Sequence, residues 1–200
     1  MGRVIIDVSM SIDGFVAGPD DSESQPLGEN GERLHEWMFR HDQPGGGTPS
    51  AKPPDARVVE ELFASIGAAV IGRRTFDLGL RHWGDVPFPA PCFVVTHRPR
   101  AELAMSNGSF TFITEGPAVA LRRAREAAGD RDVAVMGGDA GRQCLAAGLI
   151  DELHIHLVPV LLGRGVRLFE HADADPIGWE IADVTPSPHV THARYRMPQP

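Results

Sequence analysis

Two hundred residues suit one domain with a buried core, and 42% hydrophobic with 23% charged residues is the composition of an ordinary soluble globular protein. A net charge of −8 argues against nonspecific binding to nucleic acid or to an anionic membrane, although it leaves room for a local basic pocket. No apolar run approaches membrane-spanning length, Met1–Asp7 enters a strand-like run with an acid in it rather than a secretory signal, and Cys92 and Cys144 lack metal-ligand spacing.

A cytoplasmic protein with two buried free thiols and no metal site is therefore expected. Arg3 to Ser9 reads as a buried strand, and Met10 to Asp21 as a loop with Asp13-Gly14 and Gly18-Pro19 as turn signals. Leu34, Trp37 and Met38 at helical spacing predict a helix over Glu32 to Arg40. Residues 43–54 carry Gly45-Gly46-Gly47 and several prolines, a composition that packs no core, so about 41–56 reads as a flexible insertion within a single domain 1–200.

Asp55 caps a helix to about Ser65. A strand over Ala68–Ile71, a short helix over Arg74–Gly79 and strands over Cys92–Thr96 and Phe110–Ile113 follow. Gly116-Pro117 opens a helix to about Ala127. Strand Val133–Met136, helix Gly141–Ala147 and strand Glu152–Val160 come next, and Trp179–Val184 and Val190–Met197 end the chain as two further strands. Strands alternating with helices and then strands alone imply an α/β fold. The sheet is mixed and mostly parallel, is covered by helices on both faces as a three-layer α-β-α sandwich, and has antiparallel C-terminal edge strands.

Three strand ends share one chemistry. Val133-Ala134-Val135-Met136 stops at Gly137-Gly138-Asp139, where the chain can turn hard and expose the N–H groups of the next helix. Gly72-Arg73-Arg74-Thr75 adds two guanidinium groups and a hydroxyl at a second strand–helix junction, suited to a phosphate or else to a solvated turn in which Thr75 only caps the helix. Thr96-His97-Arg98 repeats the arrangement. In an open α/β sheet ligands collect at the carboxyl ends of parallel strands, so residues 72–75, 96–98 and 137–141 point to a polyphosphate ligand such as a dinucleotide. Neither G-x-G-x-x-G nor a P-loop sequence is present.

Acid–base candidates are few. Glu36, with His35 beside Trp37, offers an acid near a substrate or a plain surface position. His154 and His156 alternate on one strand face, where they line a pocket, share a metal or, as the commoner arrangement, form a half-solvated face.

These segments resemble the dihydrofolate-reductase-like superfamily, and within it the C-terminal reductase domain of the bifunctional riboflavin-biosynthesis enzyme. The resemblance rests on Ser9–Ala17, Val70–Phe76, Val133–Asp139 with its glycine pair, and Asp151-Glu152-Leu153 with Pro159–Gly165 and Leu168-Phe169. It implies an NADPH-dependent reductase, working as a homodimer on a small heterocyclic substrate of pyrimidine or pteridine type. Gly72, Arg73, Arg74 and Thr75 would hold NADPH phosphates, and Thr96, His97 and Arg98 would surround the adenosine 2′-phosphate. Gly137, Gly138, Asp139 and Gly141 would wrap the pyrophosphate and nicotinamide side, and Ser9, Val16 and Ala17 would line the nicotinamide pocket. The glycine pair is typically cis in that family.

The carboxylate that dihydrofolate reductases carry on their first helix falls near Leu34, between Glu32 and Glu36, so folate reduction is not implied. Glu36 and His156 are the remaining catalytic candidates. No H-x-E…P-C-x-x-C deaminase signature occurs, which suggests a stand-alone reductase domain. Two alternatives stay open: a nucleotide-binding protein that lost catalysis, and a reductase of other small carbonyls or imines.

Overall fold

Continuous apolar runs bounded by glycine are the material of strands buried on both faces, and the computed structural model of the chain bears this out. It describes residues 2–38, 52–169 and 178–198. By its internal contacts the chain divides into two compact units, Met1–Ile6 with Ser65–Glu152 and Asp7–Ala64 with Leu153–Pro200.

The first unit is built on strands β3 (Ile66–Gly72), β4 (Cys92–Val95), β6 (Ser109–Ile113) and β7 (Asp132–Met136), all parallel to one another, with the start of β1 (Val4–Ser11) parallel against β7. The short β5 (Leu103–Ala104) runs antiparallel to β6. Small residues set the packing of helix α3 (Pro117–Ala128), which buries Ala120, Leu121, Ala124 and Ala128. Gly67 on β3 is required there, because a β-carbon would run into Arg131 and the Ala128 carbonyl.

Helix α2 (Arg73–Trp83) is longer than the predicted Arg74–Gly79. Gly79 does not end it, because its bare face is covered by the Trp83 ring, and the helix stops instead at Gly84 in the left-handed region (φ 68°). Phe76 anchors α2 edge-on against Phe110 and Phe112. Helix α4 (Gly138–Ala146) follows β7 directly.

The second unit holds the rest of β1, β2 (Phe15–Ala17), α1 (Asp55–Ser65), β8 (Glu152–Val158), β9 (Val166–Arg167), β10 (Glu180–Pro186) and β11 (Thr191–Arg196). The predicted helix over 32–40 is instead two 3₁₀ turns, Gly31–Leu34 and Glu36–Met38, and residues 39–40 lie outside the described set. Asn30 enters the first turn left-handed and without a side-chain cap, so nothing propagates an α-helix. Leu34 at the end of the first turn and Trp37 in the second both enter a core with Val59, Val158 and Val190. The insertion expected at 41–56 lies mostly outside the described residues.

The β2–β9 ribbon, which the reading of Met10–Asp21 as loop missed, is antiparallel, with Phe15 opposite Arg167. The Arg167 guanidinium lies 4.1 Å from the centre of the Phe15 ring.

Among the described residues nine strands form one mixed sheet in the order β10-β11-β8-β1-β7-β3-β4-β6-β5, with helices around it. The antiparallel β10–β11 pair closes one edge, as expected. No helix among the described residues is long and apolar enough to cross a membrane.

Candidate cofactor site

In the first unit β7, β3 and β4 are consecutive parallel strands, with Ile71 opposite Met136 and Gly72 opposite Val95. Their carboxyl ends are therefore neighbours, and the three segments singled out in the sequence, 72–75, 96–98 and 137–141, come together along one rim of this unit. Gly72 is extended (φ −71°, ψ 152°) and passes into α2 with no side-chain cap, while Gly137 has φ +95° and passes into α4 likewise uncapped. Two adjacent helices thus begin on a glycine with no side-chain cap, an arrangement that favours an anion. Thr75 does not cap α2, and its Oγ1 occupies the space a β-carbon on Gly137 would need. The glycine is what lets the two junctions close up.

The basic residues are only partly available. Arg73 Nε donates to both oxygens of Asp77, at 2.8 and 2.9 Å, and Arg98 Nη2 lies 3.5 Å from Asp77 Oδ2. One carboxylate therefore orients two guanidinium groups and offsets part of their charge. Thr96 is buried and accepts the Arg98 N–H at 3.0 Å, which fixes the turn, while His97, Arg98 and Arg74 are exposed. Asp139 is in the first turn of α4, but its carboxylate accepts from Gln143 (2.8 Å) and faces Arg142 (3.4 Å), turned along the helix. Gly141 is buried one turn into α4, and its N–H closes the helix on Gly137 O at 2.9 Å. The Gly137–Gly138 peptide, expected to be cis by resemblance, is trans.

Ser9, Val16 and Ala17 belong to the second unit. Ser9 is buried and accepts from Trp37 Nε1 at 3.1 Å, and Val16 and Ala17 are half-buried on β2. Asp13 ties the loop after β1 to residues 162–163: its carboxylate accepts from Ser11 (2.6 Å), Leu162 N (3.1 Å) and Gly163 N (2.7 Å). Led by the Ser11 hydrogen bond, these contacts pull its pKa down to about 2 against the opposing effect of desolvation.

Of the two catalytic candidates, Glu36 is exposed, whereas His156 is 4% exposed and bonded on both ring nitrogens. The half-solvated reading of the His154–His156 face is corrected: both imidazoles are buried, because Asp7 and His192 satisfy them, and it is Leu157 on the opposite face that is open. Leu34, where the resemblance places the position of the first-helix carboxylate, and its neighbours Glu32 and Glu36 lie on the two 3₁₀ turns rather than on an α-helix. The first α-helix among the described residues opens at Asp55, which is buried against His192 Nε2 at 3.0 Å. Both cysteines are free and buried, and burial pushes their thiols up to about 12 (Cys92) and about 11 (Cys144).

Two features escaped the sequence reading. Asp77 had a usable signal, its i,i+4 spacing from Arg73 on a helix. Asp7, Asp55 and His192 had none, because they reach their partners across separations of 137 and 149 residues, or 36 between the two histidines.

A family model described as RibD C-terminal domain matches residues 3–192. The chain belongs to that family. No curated protein sequence matches significantly. Among solved structures, a putative riboflavin biosynthesis protein from Shewanella sp. PV-4 is 22% identical with a TM-score of 0.72, over 98% of this chain and 99% of that one. Dihydrofolate reductase from Enterococcus faecalis, complexed with NADP(H), is 14% identical with a TM-score of 0.58, over 99% and 98%. The diaminohydroxyphosphoribosylaminopyrimidine deaminase/5-amino-6-(5-phosphoribosylamino)uracil reductase of Thermotoga maritima is 14% identical with a TM-score of 0.64, over 98% of this chain and 56% of that one. At these identities the likeness is one of fold, and it is the dihydrofolate-reductase-like fold that the resemblance implied.

Proposed function

We propose that the chain is an NADPH-dependent reductase of a pyrimidine or pteridine-like heterocycle, nearest in activity to 5-amino-6-(5-phosphoribosylamino)uracil reduction. Membership of the RibD C-terminal domain family supports the reaction class. The observation that carries the cofactor is the pair of uncapped helix starts at Gly72 and Gly137, side by side on neighbouring parallel strands and flanked by Arg73 and Arg98.

The residues present fit the group. The first N–H groups of α2 and α4 match a pyrophosphate, and the exposed Arg98 and His97 beyond β4 match the adenosine 2′-phosphate. Arg74 and Thr75 on α2 and Gly138 and Asp139 on α4 complete the phosphate side, with Gly141 supporting the helix start from within. Ser9, Val16 and Ala17 remain our assignment for the nicotinamide. When bound, the cofactor supplies a hydride, and the protein's task is to hold and orient it and to keep water out.

We assign a homodimer as the working form. Supporting it is an apolar face of the second unit: Ile181 (70% exposed) and Val184 (50%) on β10, opposite Tyr195 and Ala193 on β11, on the side of Leu157.

Calorimetry with NADPH and NADH tests the cofactor. Binding of NADPH at least about tenfold tighter is expected from contacts to the 2′-phosphate, and equal affinities would remove the assignment of Arg98 and His97. Oxidation of NADPH on adding 5-amino-6-(5-phosphoribosylamino)uracil tests the reaction. Tight NADPH binding without turnover of any heterocycle would favour a binding protein that has lost catalysis.

A further inference from the structure

The arginines at the rim of the first unit are held in two different ways. Arg73 and Arg98 share the carboxylate of Asp77, at 2.8 and 3.5 Å. Arg100, two residues past Arg98, is held by aromatic rings instead. It is exposed, and its guanidinium carbon lies 5.6 Å from the centre of the Phe76 ring and 5.3 Å from that of Phe112. No carboxylate among the described residues pairs with it. Glu102, the nearest acid in sequence, accepts from Thr111 at 3.2 Å.

The rings under Arg100 belong to the end of the sheet. Phe76, in the first turns of α2, is buried edge-on against Phe110 and Phe112, with centroids 5.0 and 5.1 Å away. Phe112 is half-buried and sits opposite Val94, one residue before β4 and β6 both end. The aromatic cluster therefore stands beside the turn that leaves β4. Thr96 Oγ1 accepts the Arg98 N–H at 3.0 Å and Pro99 fixes its own φ, so the chain leaves the strand in a set direction and brings Arg100 back over the rings.

A cation anchored over apolar rings, with no anion beside it, offers a different surface from a cluster of donors. A phosphate is strongly hydrated and is best served by several N–H groups converging on it, such as those of Arg98, His97 and the helix starts. A purine base is flat and weakly hydrated, and it gains most from a guanidinium laid against its face. The covalent structure of NADPH ties the two together: the 2′-phosphate and the adenine hang from one ribose. With the phosphate at His97 and Arg98, the base has to fall one sugar away, beside the same turn.

We propose that Arg100, resting on Phe76 and Phe112, is the platform for the adenine ring of the dinucleotide, with the base against the side of the guanidinium that faces away from the phenyl rings.

The inference rests on the NADPH reading and supplies a contact which that reading leaves open. It lies wholly within the first unit. It also divides the adenosine between two arginines of one turn. Arg98 tells NADPH from NADH, whereas Arg100 meets a base that both dinucleotides carry and holds them equally. The plainer role for Arg100 is to shield Phe76 and Phe112 from water. A leucine would shield them as well, so that role predicts no loss of binding when Arg100 becomes leucine.

The test is calorimetry on the full chain carrying Arg100→Leu, with NADPH and with NADH, at low and at high salt. Both dinucleotides are expected to bind about 2–5-fold more weakly, the size of an exposed cation–π contact. The factor should be the same for the two, and the loss should persist at high salt, where a diffuse charge effect is screened. A loss confined to NADPH would make Arg100 a 2′-phosphate contact and overturn the platform. A loss seen only at low salt, or none at all, would overturn it too. Arg100→Gln, which keeps a polar group over Phe112, carries the same expectation if Arg100→Leu fails to fold. Binding of neither dinucleotide by the unsubstituted protein would remove the cofactor reading and the platform together. Normal binding by the unsubstituted protein with an unaffected Arg100 variant would remove the platform alone.

Discussion

Thr75 Oγ1 stands in the space that a β-carbon on Gly137 would occupy, so the first turn of α2 is seated directly on the turn between β7 and α4. Gly137 also has φ +95°, a conformation L side chains rarely adopt. Gly137→Ala is therefore expected to destabilise the protein by about 1–3 kcal/mol and to weaken NADPH binding by spreading the two helix starts. Adding Thr75→Ala should restore part of the binding loss and little of the strain. Thermal melts and calorimetry on the single and double variants measure both, and strictly additive losses would show that the two residues do not act as one seat.

Asp77 takes up donor capacity that a bound phosphate would use. Asp77→Asn should leave the fold intact, free Arg73 and Arg98 of their shared carboxylate, and tighten NADPH by about 2–10-fold at low salt, with a smaller gain at high salt because Asp77 and Arg98 are exposed and Arg73 is partly so. Arg98→Ala should loosen NADPH while changing NADH little. Dissociation constants at two ionic strengths check both statements, and weaker NADPH binding in the Asp77 variant would mean that orienting the arginines matters more than the charge offset.

Acid is expected to unfold the protein through the second unit. The pKa values of His192 and His35 are lowered, first by burial, so each favours the folded state above the ordinary histidine value of 6.5 and withdraws that support as pH falls through its lowered value. Asp7 and Asp13 are lowered from 3.8, Asp13 to about 2, so their contribution is present above 3.8 and disappears as pH falls toward 2. Stability measured by denaturant from pH 8 to pH 3 should decline in two stages, and Asp13→Asn should remove part of the lower one. A flat profile would contradict the burial of the imidazoles.

The open face of β10 and β11 should govern association. Ile181→Lys with Val184→Lys is expected to yield monomers in sedimentation at micromolar concentration with unchanged circular dichroism, since both side chains are largely exposed. A native protein that already sediments as a monomer would end the homodimer assignment.

Much of this was legible in the amino-acid order, for local reasons. Glycine at the end of an apolar run marks both strand–helix junctions, and parallel neighbours bring such ends together without further information. The family resemblance rode on the same segments. The helix expected at 32–40 failed because Leu34 and Trp37 satisfy a three-residue period as well as a 3.6-residue one, and the choice fell to an uncapped entry at Asn30. The helix end placed at Gly79 failed because Trp83 covers that glycine from within the same helix. The burial of His154 and His156 was hidden for a different reason. Alternation on a strand tells which residues share a face, but whether that face meets water depends on Asp55 and His192, partners that only the folded chain brings near.

Cys92 and Cys144 are the only cysteines of the chain, both lie in the first unit, and burial keeps both thiols protonated at neutral pH. An aromatic disulfide reagent added to the native protein should therefore report how often β4 and α4 come open, and nothing else. The protein carries a built-in clock for the opening of one unit, silent toward the other, and the slowing of that clock by NADPH would register cofactor binding without any turnover.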